Sequence, residues 1–213
     1  MIIEPLGDAA FILRDLRAPS HLLADALIGT GSSLILDAWP SYETVGVSVP
    51  PNAMTADDLR SILDSLPVSE GSAPREHVIP VCYQIGEDLE IVAKQLGINP
   101  EQVVGFHSST SYQCFAVGFC PGFPYLGWLP EELHGIPRMQ TPRTHTQPGA
   151  VGITGKQTAI YPLDRPGGWP IIGRTPLTIV DVDENYFPIR AGDVVRFTPI
   201  DEREFQLREG ERL

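Results

Sequence analysis

The sequence predicts an α+β protein in two parts: a small unit of mixed helices and strands, followed by a larger β-rich body. Three observations carry that prediction. Apolar residues recur at helical spacing only before residue 110. Beyond it, short apolar runs alternate with Gly and Pro turns, which is the punctuation of a barrel or sandwich. Between the two textures lies Pro67–Arg75 (PVSEGSAPR), the best linker composition in the chain.

Taken in order, Ala9–Leu13 (AAFIL) reads as a strand, and Ser20 as the N-cap of a helix over His21–Ile28 that Gly29 and Gly31 end. Leu34–Ala38 and Thr44–Val49 read as strands joined through Pro40-Ser41-Tyr42. Thr55 and Asp58 form a T-x-x-D capping signature for a helix to about Leu66, with Leu59, Ile62, Leu63 and Leu66 on one face. A strand at His77–Tyr83 then completes β-α-β-β-α-β, the split ferredoxin-like pattern. The expected domains are therefore 1–78 and 79–213, with a linker at about 67–76. The second opens with helices at Glu87–Leu96 and Pro100–Phe106, the latter with Pro at a helix start. Its strand candidates are Tyr112–Phe119, Gly149–Thr154, Ala159–Pro162, Leu177–Val182 and Asp193–Pro199.

Composition narrows the function. There are 27 acidic against 15 basic residues, a formal net charge of −12. Such a surface repels phosphate backbones and anionic membranes over roughly 8–10 Å in physiological salt, which argues against nucleic acid as a partner. A small anion is compatible only with a place where arginines are locally concentrated. No basic segment followed by an apolar run opens the chain, and no window approaches 18 apolar residues. Cys82, Cys114 and Cys120 are odd in number with no C-x-x-C spacing, which suits a reducing compartment and a cytoplasmic address.

Residues 118–176 are the informative stretch, dense in Gly and Pro. Ordering so much glycine costs backbone entropy, and long specified loops are usually functional, although tight barrel corners need the same letters. The runs P-G-F-P-Y-L-G (121–127), P-R (137–138 and 142–143), Q-T-x-I-Y-P (157–162), P-G-G-W (166–169) and I-G-R-T-P (172–176) occur in this order. They are flanked by G-D-x-A at 7–10, I-P-V-x-Y (79–83), D-L-E-x-V-A (88–93), H-S-S (107–109) and R-x-G-D-x-V-R-F-x-P (190–199).

These motifs resemble the family of the 5-oxoprolinase B component (PxpB), KipI and allophanate hydrolase subunit 1, with carboxyltransferase domains of the C and D type, over nearly the whole chain. The resemblance implies a ferredoxin-like N-terminal domain followed by a cyclophilin-like β-barrel. It implies a hydrolase subunit, inactive without its partners, that opens the lactam of 5-oxo-L-proline to L-glutamate with ATP, bound as its Mg complex. No tightly bound cofactor is implied for this chain. The implied partners are a large paralogous barrel protein (the C component, KipA-like) and a third protein (the A component, LamB/YcsF-like). Two other readings go with the resemblance. One is the carboxyltransferase part of a urea carboxylase, for which biotin must come from elsewhere because no Met-Lys-Met sequence is present. The other is a KipI-like regulator that inhibits a histidine kinase. The sequence departs from the pattern at Thr146–Val151, where Ala150 stands in place of a serine, and at Trp128, where a small residue is usual.

Each candidate site residue has a functional and a structural reading. Arg143 and Arg174 sit among Gly and Pro, where a guanidinium can grip a carboxylate or phosphate by two parallel hydrogen bonds, or else cap loop carbonyls; Arg138 ranks below them. Gln157 and Tyr161 share one face of a strand and offer the donor and acceptor that an amide needs, or else complete a structural network. Gly122 and Phe123 belong to the first signature run. Gly167 and Gly168 can bring backbone amides to an anion with Trp169 as a wall, or form a tight turn that Trp169 packs. His107 is a candidate general base and His145 a substrate contact, though neither has a spaced carboxylate or second histidine, and a lone histidine is more often structural. Asp181 and Asp193 read as turn residues. Ala150–Gln157 (AVGITGKQ) imitates a phosphate-binding loop but lacks its first Gly and final Ser or Thr, and strand-like sequence follows it. Nothing in the sequence places a base beside Cys120.

Overall fold

A computed structural model describes residues 1–67 and 73–213, so the centre of the expected linker lies outside the described residues. The chain is α+β and divides into two compact units, Met1–Ala73 and Pro74–Leu213.

The first unit is a four-stranded antiparallel sheet with two helices. Its elements are β1 (Ile2–Pro5), β2 (Ala10–Arg14), α1 (Ser20–Gly29), β3 (Asp37–Ser41), β4 (Thr44–Ser48) and α2 (Ala56–Ser65), and the sheet order is β1-β2-β4-β3. Phe11, Leu13, Val45 and Val47 alternate onto one sheet face and pack with Leu23, Leu27, Leu59 and Leu63. The capping box of α2 forms as the sequence predicts: the Asp58 amide donates to Thr55 Oγ1 at 3.2 Å, and the Thr55 amide donates to Asp58 Oδ2 at 2.9 Å. Two expectations fail. Ser20 does not cap α1, because its hydroxyl donates to the Tyr42 carbonyl at 2.7 Å. The order of elements is ββαββα instead of βαββαβ. The strand expected to close this unit, now β5 (Glu76–Val81), belongs to the second, and the sheet's fourth strand is β1.

The second unit is built on a seven-stranded mixed sheet. After β5 come α3 (Leu89–Leu96), α4 (Pro100–Ser108), β6 (Ser111–Val117), β7 (Pro124–Gly127), β8 (Arg143–Thr146), β9 (Ala150–Thr154), β10 (Gln157–Ile160), β11 (Arg165–Gly167), β12 (Ile171–Arg174), β13 (Val194–Pro199) and α5 (Glu202–Arg208). The sheet order is β12-β9-β10-β7-β6-β13-β5, with β8 and β11 forming a separate ribbon. β5 runs parallel to β13 along all six of its residues and so extends the sheet of the second unit. Just past β5, Cys82 exchanges backbone hydrogen bonds of 2.9 and 3.0 Å with Arg174 at the end of β12. That bridge nearly closes the sheet into a barrel.

Ile79, Val81, Tyr112, Cys114, Leu126, Ile153, Ile160 and Phe197 fill the interior, and Val92 and Val103 bring α3 and α4 onto it. Asn99 and Gln102 cap α4 reciprocally, ahead of Pro100 in its first turn. Residues Leu177–Val182 form no strand, only isolated bridges at Thr178 and Asp181. Asp193 does hold a turn, accepting from the Arg190 amide at 2.9 Å, and it also binds Arg75 and His77 at the head of β5.

Candidate functional site

The sheet strands β7, β9, β10 and β12 present two apolar faces. Leu126, Val151, Ile153, Ile160 and Ile172 point inward, and the intervening residues form a second apolar cluster on the outer face. That cluster holds Cys120, Phe123, Ala150, Ala159, Tyr161, Trp169 and Ile171, with Tyr125 packed against it. Its rings meet edge to face: Phe123 lies 5.0 Å from Tyr125, 5.1 Å from Tyr161 and 5.9 Å from Trp169, centroid to centroid. Each such contact adds about 0.5–1.5 kcal/mol beyond burial, so the floor is rigid without a ligand. Phe119, 61% exposed and at φ 68°, stands at its rim against Phe123 and Tyr161. A bulky residue rarely adopts that backbone conformation, and such residues gather at functional sites.

Two glycines are sterically required here. A Cβ on Gly167 would lie 2.6 Å from both the Thr146 and the Tyr161 hydroxyl oxygens, and Gly122, at φ 72°, leaves no room for one against Val180. Thr146 itself is 3% exposed, and its hydroxyl has no hydrogen-bond partner among the described residues. A buried unpaired hydroxyl costs about 1–3 kcal/mol. Thr146→Val is therefore expected to raise the stability of the protein by about 1 kcal/mol, read as a higher denaturant midpoint; a lower one would mean that the hydroxyl is bonded in the folded state.

Arginine charge reaches this cluster. The charge of Arg138 acts on the phenols of both Tyr125 and Tyr161, that of Arg143 on Tyr161, and that of Arg165 on the Cys120 thiol. Burial is the larger effect and raises all three groups, and the arginines pull the other way.

The structure ranks these arginines differently from the sequence. Arg143 is committed: Nη2 donates to both Asp88 oxygens at 2.7 Å and Nε to Glu87 at 3.1 Å. Burial opposes its charge, and the Asp88 hydrogen bonds and charge more than offset that, leaving its pKa raised. Arg174 also serves the framework, donating to the Pro148 carbonyl at 3.1 Å and the Gln147 side chain at 2.7 Å, with its guanidinium over the Phe205 ring. Arg138 is exposed, and its guanidinium has no hydrogen-bond or ion-pair partner among the described residues.

Other expectations are corrected by burial and distance. His107 is fully buried inside the barrel, so it is no general base for an external substrate. The Thr158 hydroxyl donates its single proton to the Gly152 carbonyl, so it accepts from His107 Nε2 at 2.9 Å, and Nδ1 accepts from Tyr83 at 2.7 Å. His145 is exposed and pairs with Asp164. Gln157 shares the outer face with Tyr161 but begins the strand, four residues away and so roughly 13 Å distant. Gly167 ends strand β11, and the Gly168 carbonyl next to it accepts from the Met139 amide at 2.7 Å. Of the expected residues, Phe123, Tyr161, Gly167, Gly168 and Trp169 are thus brought together, with Gly122 beside them. Tyr125 was not among the expected residues; its position two after Phe123, on β7, puts it on the same face. Thr146 gave no signal in the sequence. Of the departures from the family pattern, Ala150 lies in the apolar floor, and Trp128, half exposed, packs on Phe115 away from it. Ala150–Gln157 is the β9–β10 hairpin, with no helix to form a phosphate cradle.

The family model for the carboxyltransferase domain, subdomain C and D, matches residues 1–188. The chain belongs to this family. It is 40% identical over 206 residues to the B component of 5-oxoprolinase from Escherichia coli O157:H7, covering 91% of this chain and 94% of that protein. It is 44% identical over 130 residues to the corresponding 5-oxoprolinase component of Bacillus subtilis, a match spanning 60% of this chain and 54% of that relative. Among solved structures, TTHA0988 superposes with a TM-score of 0.80 at 35% identity, over 90% of this chain and 40% of that one. The Kluyveromyces lactis urea carboxylase superposes at 0.70 over 99% of this chain and 23% of that one; at 16% identity this likeness concerns the fold alone.

Proposed function

We propose that this chain is the B component of an ATP-dependent 5-oxoprolinase, which opens 5-oxo-L-proline to L-glutamate together with partner subunits. The observation that carries the reading is the 40% identity to the E. coli B component across nearly the full length of both chains. The partners proposed are the large paralogous barrel protein and the third, LamB/YcsF-like protein, in the cytoplasm. No helix among the described residues is long and apolar enough to cross a membrane. The nearly closed seven-stranded sheet supports the cyclophilin-like assignment of the second unit, whereas the ββαββα order of the first matches ferredoxin-like topology only if its edge strand is drawn from the N-terminus.

The aromatic cluster is packed interior: Phe123, Tyr161 and Trp169 are 2%, 2% and 5% exposed, whereas Phe119 at its rim is open to solvent. The described residues present no phosphate loop, so ATP is assigned to the assembled complex and no step is routed through it in this chain.

Glutamate release from 5-oxoproline and ATP, measured with this chain alone and then with both partners, tests the reading. Release only from the full set is expected. A complex that assembles yet releases no glutamate would overturn the reading in favour of urea-type carboxyl transfer, which the 24% identity to a putative urea carboxylase of Emericella nidulans over 135 residues keeps in view.

A further inference from the structure

We propose that the open face of the first unit's sheet docks a basic segment of a partner protein, with the Trp39 ring taking a lysine or arginine side chain.

Both helices of that unit pack on one side of the sheet, where Leu23, Leu27, Leu59 and Leu63 meet Phe11, Leu13, Val45 and Val47. Strand alternation sends the intervening residues to the other side. There the register lines up Trp39, Gly46, Ile12 and Glu4 in one row across β3, β4, β2 and β1. Gly46 is what lets the row close up. A Cβ at that position would lie 2.3 Å from the Trp39 ring, so the indole rests on the bare backbone of β4. Trp39 is nevertheless 42% exposed, which leaves the other face of the indole to solvent.

Charge selects what this platform takes. Residues 1–73 carry 3 basic against 10 acidic side chains, a net of −7 within a chain of −12. Asp37, two residues before Trp39, shares its face. Its Oδ1 accepts from the Ala38 amide at 2.8 Å, and its Oδ2 has no partner among the described residues. A carboxylate beside an open indole suits an ammonium or guanidinium, which the negative face of the ring also attracts. Glu4, at the far end of the row, is already paired with Arg14 at 2.8 Å. The face measures about 19 by 16 Å, or about 300 Å², against the roughly 800 Å² per partner of a stable interface. That is too little to hold a second copy of an acidic chain, and it fits a short basic segment.

The test titrates the chain, at physiological ionic strength, with a capped dodecapeptide of alternating Lys and Ser and with its Glu–Ser and Gln–Ser counterparts. The Lys peptide is expected to bind and to move the Trp39 indole N–H resonance, assigned by its loss in Trp39→Phe. The other two peptides should not. Trp39→Ala should weaken binding about 5- to 30-fold, the equivalent of one cation over a partly desolvated ring. Trp39→Phe keeps a ring on Gly46 and should fall between that variant and the parent, which separates loss of the cation site from loss of folding. Asp37→Asn should weaken binding roughly 2-fold. Asp25→Asn, which removes the same charge from an exposed position on α1, should match the parent.

Lys-peptide binding that W39A leaves within twofold overturns the assignment in favour of diffuse attraction to an acidic surface. Equal binding of the Gln–Ser peptide overturns the choice of a basic occupant. No binding of the Lys peptide removes the site, and self-association of the parent that W39A abolishes gives the face to a second copy instead.

Discussion

Asp88→Ala is expected to destabilise the second unit by about 3–5 kcal/mol, the usual cost of removing one partner from a buried ion pair. The Asp88 side chain is 8% exposed and the Arg143 side chain 18%, so truncation leaves a guanidinium largely out of water with the exposed Glu87 and the Met139 sulfur as its partners. It also strips the Ile171 amide of its 2.6 Å bond to the same carboxylate. Asp88 therefore pins β8, through Arg143, to β12, through Ile171, and those strands bound the aromatic floor. Urea unfolding followed by tryptophan fluorescence measures the loss. Arg143→Ala should lose a similar amount, and the double variant should lose much less than the two added together, because the strands share one tie. A neutral Asp88→Ala would show that the pair contributes little, and Arg143 would return as a candidate for binding substrate.

His107→Ala is the second large effect, with an expected loss of about 3–5 kcal/mol. The imidazole stacks on Phe197 at 4.6 Å and touches Tyr112, so its removal leaves a cavity in the barrel. It also leaves the Tyr83 and Thr158 hydroxyls short of a partner, at about 1 kcal/mol or more each. Burial alone depresses the pKa of His107 from 6.5 to about 3. The folded state thus binds this proton more weakly than the unfolded chain does. The stability contributed by keeping the ring neutral is complete above pH 6.5 and is lost as pH falls from 6.5 toward 3. A shift of that size corresponds to roughly 5 kcal/mol across the window. The groups facing the ring are Tyr83, Tyr112, Thr158 and Phe197, none of them charged in that range, so no neighbour opposes the trend. Comparing midpoints at pH 7 and pH 4.5 for the parent and His107→Phe isolates it: the parent should lose more than the variant. Equal losses would mean that the imidazole titrates normally and is reached by solvent.

The same two residues show how far the sequence could be read. The D-L-E-x-V-A and H-S-S runs marked both positions, but as family landmarks, and a lone histidine is more often a strut than a base. The aromatic floor was more legible. Phe123, Tyr161 and Trp169 sit in signature runs, whereas Tyr125 lies on β7, a strand the sequence reading did not expect. Thr146 was invisible, since nothing in T-H-T-Q-P says that its hydroxyl will be buried beside a glycine.

By itself the sequence determined the α+β class, the capping box of α2, the proline start of α4, the change of texture near residue 110 and the family. All of these are written in residues close together in the chain, where periodicity and capping act. The tertiary structure decided which partner each polar group takes. Ser20 is a good cap by type but bonds Tyr42, 22 positions away. Asp88 precedes α3 and caps nothing, because Arg143 and Ile171, 55 and 83 positions away, claim its carboxylate. Strand β5 reads locally like the end of the first unit, yet it pairs with β13, more than a hundred residues on. Burial makes these distant bonds worth more than the local alternatives, since a charge or hydroxyl taken out of water must be satisfied by whatever the fold brings to it. For that reason Arg138, which the fold leaves without a partner, could be told from Arg143 and Arg174 only in three dimensions.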